Sequence, residues 1–177
     1  MFTTVLYLLV LAAVVYFLAG PPLTLLHELG HALPLALAGR SATVYMGRPD
    51  PRARPTFEFG KLEVRIRRPI GFGGECHYER PERGFSPGGQ LLLALGGPAA
   101  SAAATLIFGL ATYLSPDSPL STLLAAITLA AFLQVFFSML PVSYPNWLGA
   151  AGGKPSDGLR ALWAMQNLDS AWEEDDS

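Results

Sequence analysis

Two histidines and a glutamate near the N-terminus have the types and spacing needed for metal chemistry. His27 and His31 are four residues apart, which on an α-helix means about 40° of rotation and about 6 Å of rise. Both imidazoles therefore face one direction and can bind one ion, while Glu28 can reach a water beside that ion. This His-Glu-Leu-Gly-His pattern is the signature of zinc hydrolases, which take two nitrogen ligands and a carboxylate base from one helical turn.

The surroundings of this turn favour a functional interpretation over a chance pattern with histidines as core fillers. Residues 23–38 are apolar apart from Thr24 and the His-Glu-His cluster. Ionisable residues inside an apolar helix are costly to bury and are usually functional. A bound metal would compensate three such residues within five positions.

A third ligand has to come from elsewhere, because catalytic zinc sites usually have three protein ligands and one water. Asp157 is the best candidate, since it follows a Pro/Gly-rich stretch that can turn back toward the membrane. Ser156-Asp157 is equally good N-capping chemistry for the helix that follows, so the residues alone leave the two interpretations about equal. Glu75 and His77 are weaker rivals, which we expect to be exposed loop residues.

The composition predicts an integral membrane protein. Hydrophobic residues make up 51% of the 177 residues and charged residues 15%, against roughly 25% charged in soluble domains. The apolar residues also form long runs, which bilayer spans need and soluble cores do not. The single cysteine, Cys76, excludes an intramolecular disulfide. The basic residues flank apolar runs and alternate with Glu, so we predict no nucleic-acid binding.

The fold class predicted from these runs is an all-α membrane protein, a polytopic helical bundle of about four transmembrane segments in one domain, 1–177. The predicted spans are 2–19, 22–39, 90–114 and 121–140. Gly20-Pro21-Pro22 separates the first two; the alternative is one kinked helix that continues through it. A cleaved signal peptide at 1–19 is disfavoured, because no Lys or Arg precedes the apolar run.

The polar segment 41–88 predicts a small cytoplasmic β-hairpin or sheet insertion. Leu62, Val64 and Ile66 alternate with charged residues, the period of two expected for a half-buried strand. Gly60 is the expected turn of a 56–67 hairpin, which could accept an extended substrate as an added strand or simply cap the site. Residues 157–169 predict a C-terminal interfacial helix.

Charge asymmetry predicts the orientation of the chain in the membrane. Ten of the 12 Lys and Arg residues lie between Arg40 and Arg83, so this segment is expected on the cytoplasmic side. The end of the histidine helix and the region of Asp157 then lie on that same side. We predict a multi-pass protein of a prokaryotic cell (inner) membrane, with its active site near the cytoplasmic face.

The His-Glu-Leu-Gly-His turn in an apolar helix resembles the site-2 protease family of intramembrane zinc metalloproteases. Two later segments match as well, and the resemblance covers most of residues 20–165. Gly97-Pro98-Ala99-Ala100-Ser101 resembles the family's Gly-Pro-x-x-Asn segment, and Leu140-Pro141 with Ser156-Asp157-Gly158 resembles its Leu-Pro…Asp-Gly element. The chain departs from the family in having Ser101 and Ser138 where Asn is common, and in a longer gap from Pro141 to Asp157.

The resemblance implies a set of roles for these residues. His27, His31 and Asp157 would be the ligands of one catalytic Zn²⁺, and Glu28 the catalytic base. Gly97, Pro98 and Ser101 would position the substrate. The implied activity is regulated intramembrane proteolysis of a single-span membrane protein in the lipid bilayer, by a minimal core without a PDZ or CBS domain. A homo-oligomer and a regulatory membrane partner are both compatible with the sequence.

Two other functions belong to different classes. A membrane-anchored zinc protease acting on soluble or misfolded chains generally takes a Glu from a later helix as its third ligand, and the sequence has no suitable Glu-x-x-x-Asp helix. A catalytically inactive, metal-binding membrane scaffold would have no need of a base, so Glu28 argues against it.

Overall fold

A computed structural model of the chain describes residues 2–52, 54–67, 73–81, 84–116, 118–146 and 152–166. These residues form helices around a small sheet. The helices are α1 (Phe2–Val14), α2 (Gly20–Leu37), α3 (Pro87–Tyr113), α4 (Pro119–Met139) and α5 (Asp157–Met165). The strands are β1 (Ala42–Gly47), β2 (Phe57–Phe59), β3 (Leu62–Arg67) and β4 (Gly74–Tyr78).

The N-terminal apolar residues form one helical run, Phe2–Leu37, of 36 residues. A π-helical turn, Val15–Ala19, joins α1 to α2, and the N–H of Gly20 donates to the carbonyl of Val15. This wider turn comes just before Pro21 and Pro22, which lie in the first turn of α2. Prolines are tolerated where the helical hydrogen-bond pattern has already changed. The prediction of two spans divided at Gly20-Pro21-Pro22 is therefore wrong.

Three helical runs are long and apolar enough to cross a membrane within the described part of the chain. They are Phe2–Leu37, Pro87–Tyr113 and Pro119–Met139. A polytopic helical membrane protein was expected, and the helices agree with it in length and composition, but the number of candidate spans is three and not about four. At about 1.5 Å per residue the first run is about 54 Å long, more than a hydrocarbon layer of about 30 Å.

Serine caps begin the three later helices. The hydroxyls of Ser86, Ser118 and Ser156 accept from the N–H groups of Gly89, Ser121 and Leu159 at 3.2, 3.1 and 3.1 Å. Such a cap satisfies one of the donors that the first turn leaves unpaired. Because Ser156 caps α5, the interpretation of Asp157 as the N-cap is wrong, and the Asp157 carboxylate is free for another role.

The sheet insertion is confirmed and is larger than a hairpin. Its order is β2-β3-β1-β4; β2 pairs antiparallel with β3 through a turn at Gly60, as expected for 56–67, while β1 runs parallel to β3 and antiparallel to β4. Gly60 has φ 63°, a conformation that glycine adopts without strain. The helical bundle therefore carries a four-stranded mixed sheet.

One face of the sheet packs on α2. Val44, Met46 and Val64 are buried against Ala32 and Leu35 of the helix. Burial of such apolar side chains is the main source of stability for this contact. The sheet is thereby held along the same helix that carries the two histidines.

The opposite flank of α2 approaches α3 very closely. A Cβ placed on Gly30 would lie 2.7 Å from the carbonyl carbon of Gly96, and a Cβ on Gly96 would lie 2.8 Å from that of Gly30. Real side chains do not fit at such distances, so both positions require glycine, as is common where membrane helices meet. The contact brings the His27–His31 turn against the Gly97–Ser101 turn of α3.

Candidate metal centre

Three side chains from α2 and α5 converge at the level of the Gly30–Gly96 contact. The Nε2 atoms of His27 and His31 are 3.3 Å apart. Asp157 Oδ2 lies 3.1 Å from His27 Nε2, and Asp157 Oδ1 lies 3.4 Å from His31 Nε2. Within the described residues, this group of two imidazoles and a carboxylate can hold a metal ion.

The second nitrogen of each imidazole is held by α3. His31 Nδ1 lies 2.6 Å from the carbonyl oxygen of Leu93, and His27 Nδ1 lies 2.8 Å from the hydroxyl of Ser101. A carbonyl only accepts, so the shorter contact of His31 Nδ1 requires a proton on that nitrogen, and Nε2 of the neutral ring then has its lone pair toward the centre. Ring orientation and tautomer of metal-binding histidines are commonly set in this way.

A hairpin delivers Asp157 to the histidines. Ser143 and Pro155 form an antiparallel bridge, and the N–H of Ser156 donates to the carbonyl of Val142 at 2.9 Å. The long gap between Pro141 and Asp157 thus folds back on itself, although residues 147–151 lie outside the described part. Its ends meet where α4 finishes and α5 begins.

Gly158 allows α5 to dock against the end of α4. A Cβ at this position would lie 2.9 Å from Met139 Cα and would overlap the Met139 carbonyl. Ser156 is buried beside it, and its hydroxyl donates to the carbonyl of Leu140. These contacts seat the first turn of α5, and with it the carboxylate of Asp157.

Of the three α3 residues expected near the substrate, Gly97 and Ser101 border this centre. A Cβ on Gly97 would overlap His31 Nε2 and would lie 2.7 Å from His27 Nε2, so Gly97 faces the donor atoms directly. Pro98 is buried next to it. Ser101, only 1% exposed, contacts His27, which gives it a direct role in orienting a donor. Its expected contact with substrate stays a prediction.

Glu28 lies between the centre and the sheet. A Cβ on Gly74 of β4 would come within 3.0 Å of Glu28 Cγ and 2.7 Å of Thr24 Cγ2, so the strand passes directly over the glutamate. Glu28 is also within electrostatic reach of both imidazoles and of Asp157. The carboxylate therefore belongs to the same site without being one of the three grouped donors.

Glu75 and His77 do not join the donor group. Glu75 Oε2 accepts from His77 Nε2 at 2.8 Å, and Glu75 Oε1 pairs with Lys154 Nζ at 2.9 Å. Burial by itself raises the pKa of Glu75, but the hydrogen bonds from His77 and Lys154 outweigh it, so the pKa lies below its ordinary value. The predicted rivals of Asp157 instead connect β4 to the hairpin that carries Asp157.

The pKa values of Asp157 and Tyr144 are shifted by burial and by the charges around them. Burial raises the pKa of Asp157, but the nearby imidazoles reverse the effect and hold it below its ordinary value, so the group is an anion. Burial, with the charges of Asp157 and Glu28, raises the pKa of Tyr144 to about 12, so its phenol stays protonated.

Two groups at the site were missed by sequence reasoning, the Leu93 carbonyl and Tyr144. Any residue can supply a carbonyl, so no residue type signals the first of them. A lone tyrosine in an irregular segment is equally uninformative. Only the packing of α3 and the hairpin brings them to the centre.

No family model, curated protein or solved structure matches this chain. The resemblance to the site-2 protease family therefore stays a prediction, and function is inferred from the chemistry of the centre itself.

Proposed function

We propose that this chain is an intramembrane zinc metalloprotease of the site-2 protease type. It would hydrolyse peptide bonds within or near the transmembrane segments of single-span membrane proteins. The observation that carries the proposal is the convergence of His27, His31 and Asp157 on one point beside Glu28, on a helix apolar enough to cross a membrane.

The spacing of the donor atoms supports zinc as the metal. Zinc binds imidazole nitrogen and carboxylate oxygen at about 2.0–2.2 Å with tetrahedral geometry, so neighbouring ligand atoms lie about 3.3–3.6 Å apart. Here the two Nε2 atoms are 3.3 Å apart, His27 Nε2 lies 3.1 Å from Asp157 Oδ2, and His31 Nε2 lies 3.4 Å from Asp157 Oδ1. These separations are close to those between neighbouring ligands of one zinc ion, and three protein ligands with an open fourth position are typical of catalytic zinc.

A cation also relieves an electrostatic conflict in this donor set. Three electron-pair donors at such distances repel one another unless a cation or proton lies among them. Ser101 and Leu93 contact the outer nitrogens of the imidazoles, so protons on those nitrogens leave the inner ones free for the metal. The chain's own hydrogen bonds therefore favour the metal-binding tautomers.

The residues around the centre fit peptide hydrolysis. Bound zinc would acidify a water molecule and polarise the scissile carbonyl. Glu28 would accept a proton from the attacking water and return it to the leaving amine nitrogen. Gly97, which has no side chain, keeps the space directly in front of the two inner nitrogens free of protein atoms.

The substrate would have to be extended, because a helix conceals its own peptide groups. Of the two outer strands, β4 passes over Glu28, whereas β2 lies at the far edge of the sheet. An extended segment paired with β4 would lie beside the base. The β2 edge of the 56–67 hairpin, which the sequence alone also allows as the acceptor of a substrate strand, fits this role less well than β4.

Replacement of the base tests the proposal. We expect Glu28→Gln to retain one zinc per chain and to lose cleavage of a single-span membrane substrate, because the amide cannot accept the proton. Glu58→Gln, an exposed carboxylate on β2, is the matched control and should keep both zinc and activity. Zinc is measured by elemental analysis and cleavage by gel mobility in proteoliposomes.

Other outcomes would identify other functions. Unchanged cleavage by Glu28→Gln would contradict the mechanism. Zinc without cleavage in the wild type, over a panel of membrane substrates, would favour the inactive scaffold. Cleavage of an unfolded soluble protein, with no cleavage of membrane segments, would favour a membrane-anchored zinc protease that acts on soluble or misfolded chains.

A further inference from the structure

The sheet has two edge strands, β4 and β2, with different surroundings. β4 lies against the candidate metal centre, whereas β2 has no contact with it among the described residues. The other edge, β2, carries Phe57 and Phe59, whose side chains are 51% and 67% exposed. Their rings stack at a centroid distance of 6.5 Å. Two large exposed aromatic rings on a three-residue strand are unusual for a surface that faces water.

The strand register defines the direction of these rings. Phe57 pairs with Val64 and Phe59 pairs with Leu62, and paired residues of antiparallel strands point to the same face. Val64 and Leu62 point into the core against α2. Phe57 and Phe59 therefore point toward the membrane-spanning side of the sheet, while Glu58 between them points away from it.

The sheet order shows where this edge lies relative to α2. Thr24 and Glu28 of α2 lie under β4. Around the circumference of α2, the next residues, such as Ala32 and Leu29, pack under the middle strands of the sheet. At about 100° per residue, Leu33 is rotated by about 140° from Glu28 and about 180° from Thr24. We therefore expect β2, at the edge of the sheet opposite β4, to lie nearest the side of α2 that carries Leu33.

That flank is itself an exposed apolar surface. Leu26, Leu33 and Leu37 fall within an arc of about 40°, and all three are exposed in a helix that can cross a membrane. The β2–β3 turn lies at the cytoplasmic-side end of this stripe, because Lys61 donates to the carbonyl of Gly39 and Ala42 bonds back to Lys61. The two phenylalanines and the leucine stripe therefore border the same space.

We infer that β2 is a lipid anchor: Phe57 and Phe59 enter the boundary between headgroups and acyl chains beside the leucine stripe. Charge supports a lipid partner over a protein one. Residues 40–67 contain seven Lys or Arg and three Asp or Glu, and Arg52, Arg54 and Lys61 are exposed around β2. A basic rim around apolar side chains suits the surface of anionic lipid. One sheet edge would thus be held in lipid while the other lies over Glu28.

Site-directed fluorescence tests the anchor without measuring proteolysis. In a Cys76→Ala background, single cysteines are introduced as Phe57→Cys, Phe59→Cys and Glu58→Cys, labelled with a nitrobenzoxadiazole dye and reconstituted in vesicles containing phosphatidylglycerol. Leu33→Cys is the positive control for lipid contact. Circular dichroism of each labelled protein reports that the helices are intact.

We expect dyes at 57 and 59, like the dye at 33, to be quenched by lipids spin-labelled near the headgroup several-fold more than by aqueous iodide. The dye at 58 should show the reverse. Equal iodide quenching at all three β2 positions would overturn the inference, since the edge would then face water. Protection of 57 and 59 from both quenchers would also overturn it and would indicate a protein covering the edge. Neither result depends on whether the chain is a protease.

Discussion

At the scale of single residues, the candidate metal centre depends on groups outside the three proposed ligands. Ser101 contacts one imidazole and the Leu93 carbonyl the other, and Gly97 leaves the space in front of both inner nitrogens. The ligands alone therefore do not define the site. Its outer contacts decide whether two histidines on one turn present their lone pairs together.

Removal of the Ser101 hydroxyl tests this support. We expect Ser101→Ala to weaken zinc binding by about 10- to 100-fold, the usual effect of losing a hydrogen bond to a ligand. Ser138→Ala is the matched control, because Ser138 is a buried helix serine whose hydroxyl only donates to Val135 of its own helix. Competition with a chromophoric chelator measures both affinities. Equal affinities for the two variants would contradict the orienting role.

A methyl group at Gly97 tests the shape of the site. Gly97→Ala should abolish zinc binding, because the added Cβ would overlap His31 Nε2 and crowd His27 Nε2. Gly109→Ala in the same helix should keep its zinc, since its Cβ would meet only Thr128 Cγ2 at 3.6 Å. Zinc content after purification distinguishes them. A zinc-loaded Gly97→Ala protein would show that the donors are not packed as described.

At the scale of elements, the site lies where four helices and a strand meet through small residues. The Gly30–Gly96 contact sets α2 against α3, Gly158 sets α5 against α4, and Gly74 sets β4 over Glu28. Each glycine lets a backbone come closer than any side chain allows. The distance between the histidines and Asp157 is thus controlled by the docking of whole elements.

Displacement of α5 should lower the affinity for zinc without unfolding the helical bundle. We expect Gly158→Ala to weaken zinc binding by about tenfold or more, because its Cβ would push the first turn of α5 away from Met139 and carry Asp157 with it. Gly88→Ala, in the first turn of α3 with open space around it, is the control and should bind zinc normally. Chelator competition, with circular dichroism to verify helicity, tests both. Normal zinc affinity in Gly158→Ala would mean that Asp157 is not positioned by this contact.

At the scale of the whole molecule, the charge distribution and the three candidate spans predict one orientation. The basic segment between α2 and α3 should lie in the cytoplasm, together with α5. The turn between α3 and α4 should then lie on the opposite side. In this predicted orientation, we expect the candidate metal centre to lie near the cytoplasmic face.

Labelling of intact cells tests this orientation. In the Cys76→Ala background, Pro116→Cys in the α3–α4 turn should react with a membrane-impermeant maleimide added outside, because that turn faces away from the cytoplasm. Glu58→Cys on β2 should react only after the membrane is permeabilised. Both residues are exposed, so accessibility within the protein does not separate them. The opposite labelling pattern would mean that the basic segment is extracytoplasmic.

Local patterns in the chain were enough to identify several features. Four-residue spacing put His27 and His31 on one helical face, long apolar runs indicated membrane helices, and alternation predicted β3 with its hairpin partner. These signals are periodic and depend only on neighbours in the chain. The same reasoning failed at Pro21 and Pro22, because they lie in the first turn of α2, just after a π-helical turn, where they do not end the helix.

Only the tertiary structure decided which residues complete the site. The sequence favours cap and ligand roles for Asp157 equally, but in the structure Ser156 caps α5 and the Asp157 carboxylate lies 3.1 and 3.4 Å from the histidines. Glu75 and His77 have ligand chemistry equal to that of Asp157, yet they pair with each other and with Lys154. Residue type establishes what a side chain can bind. Which of them meet depends on how closely distant segments approach, and here that approach is set by glycines whose partners lie far away in the chain.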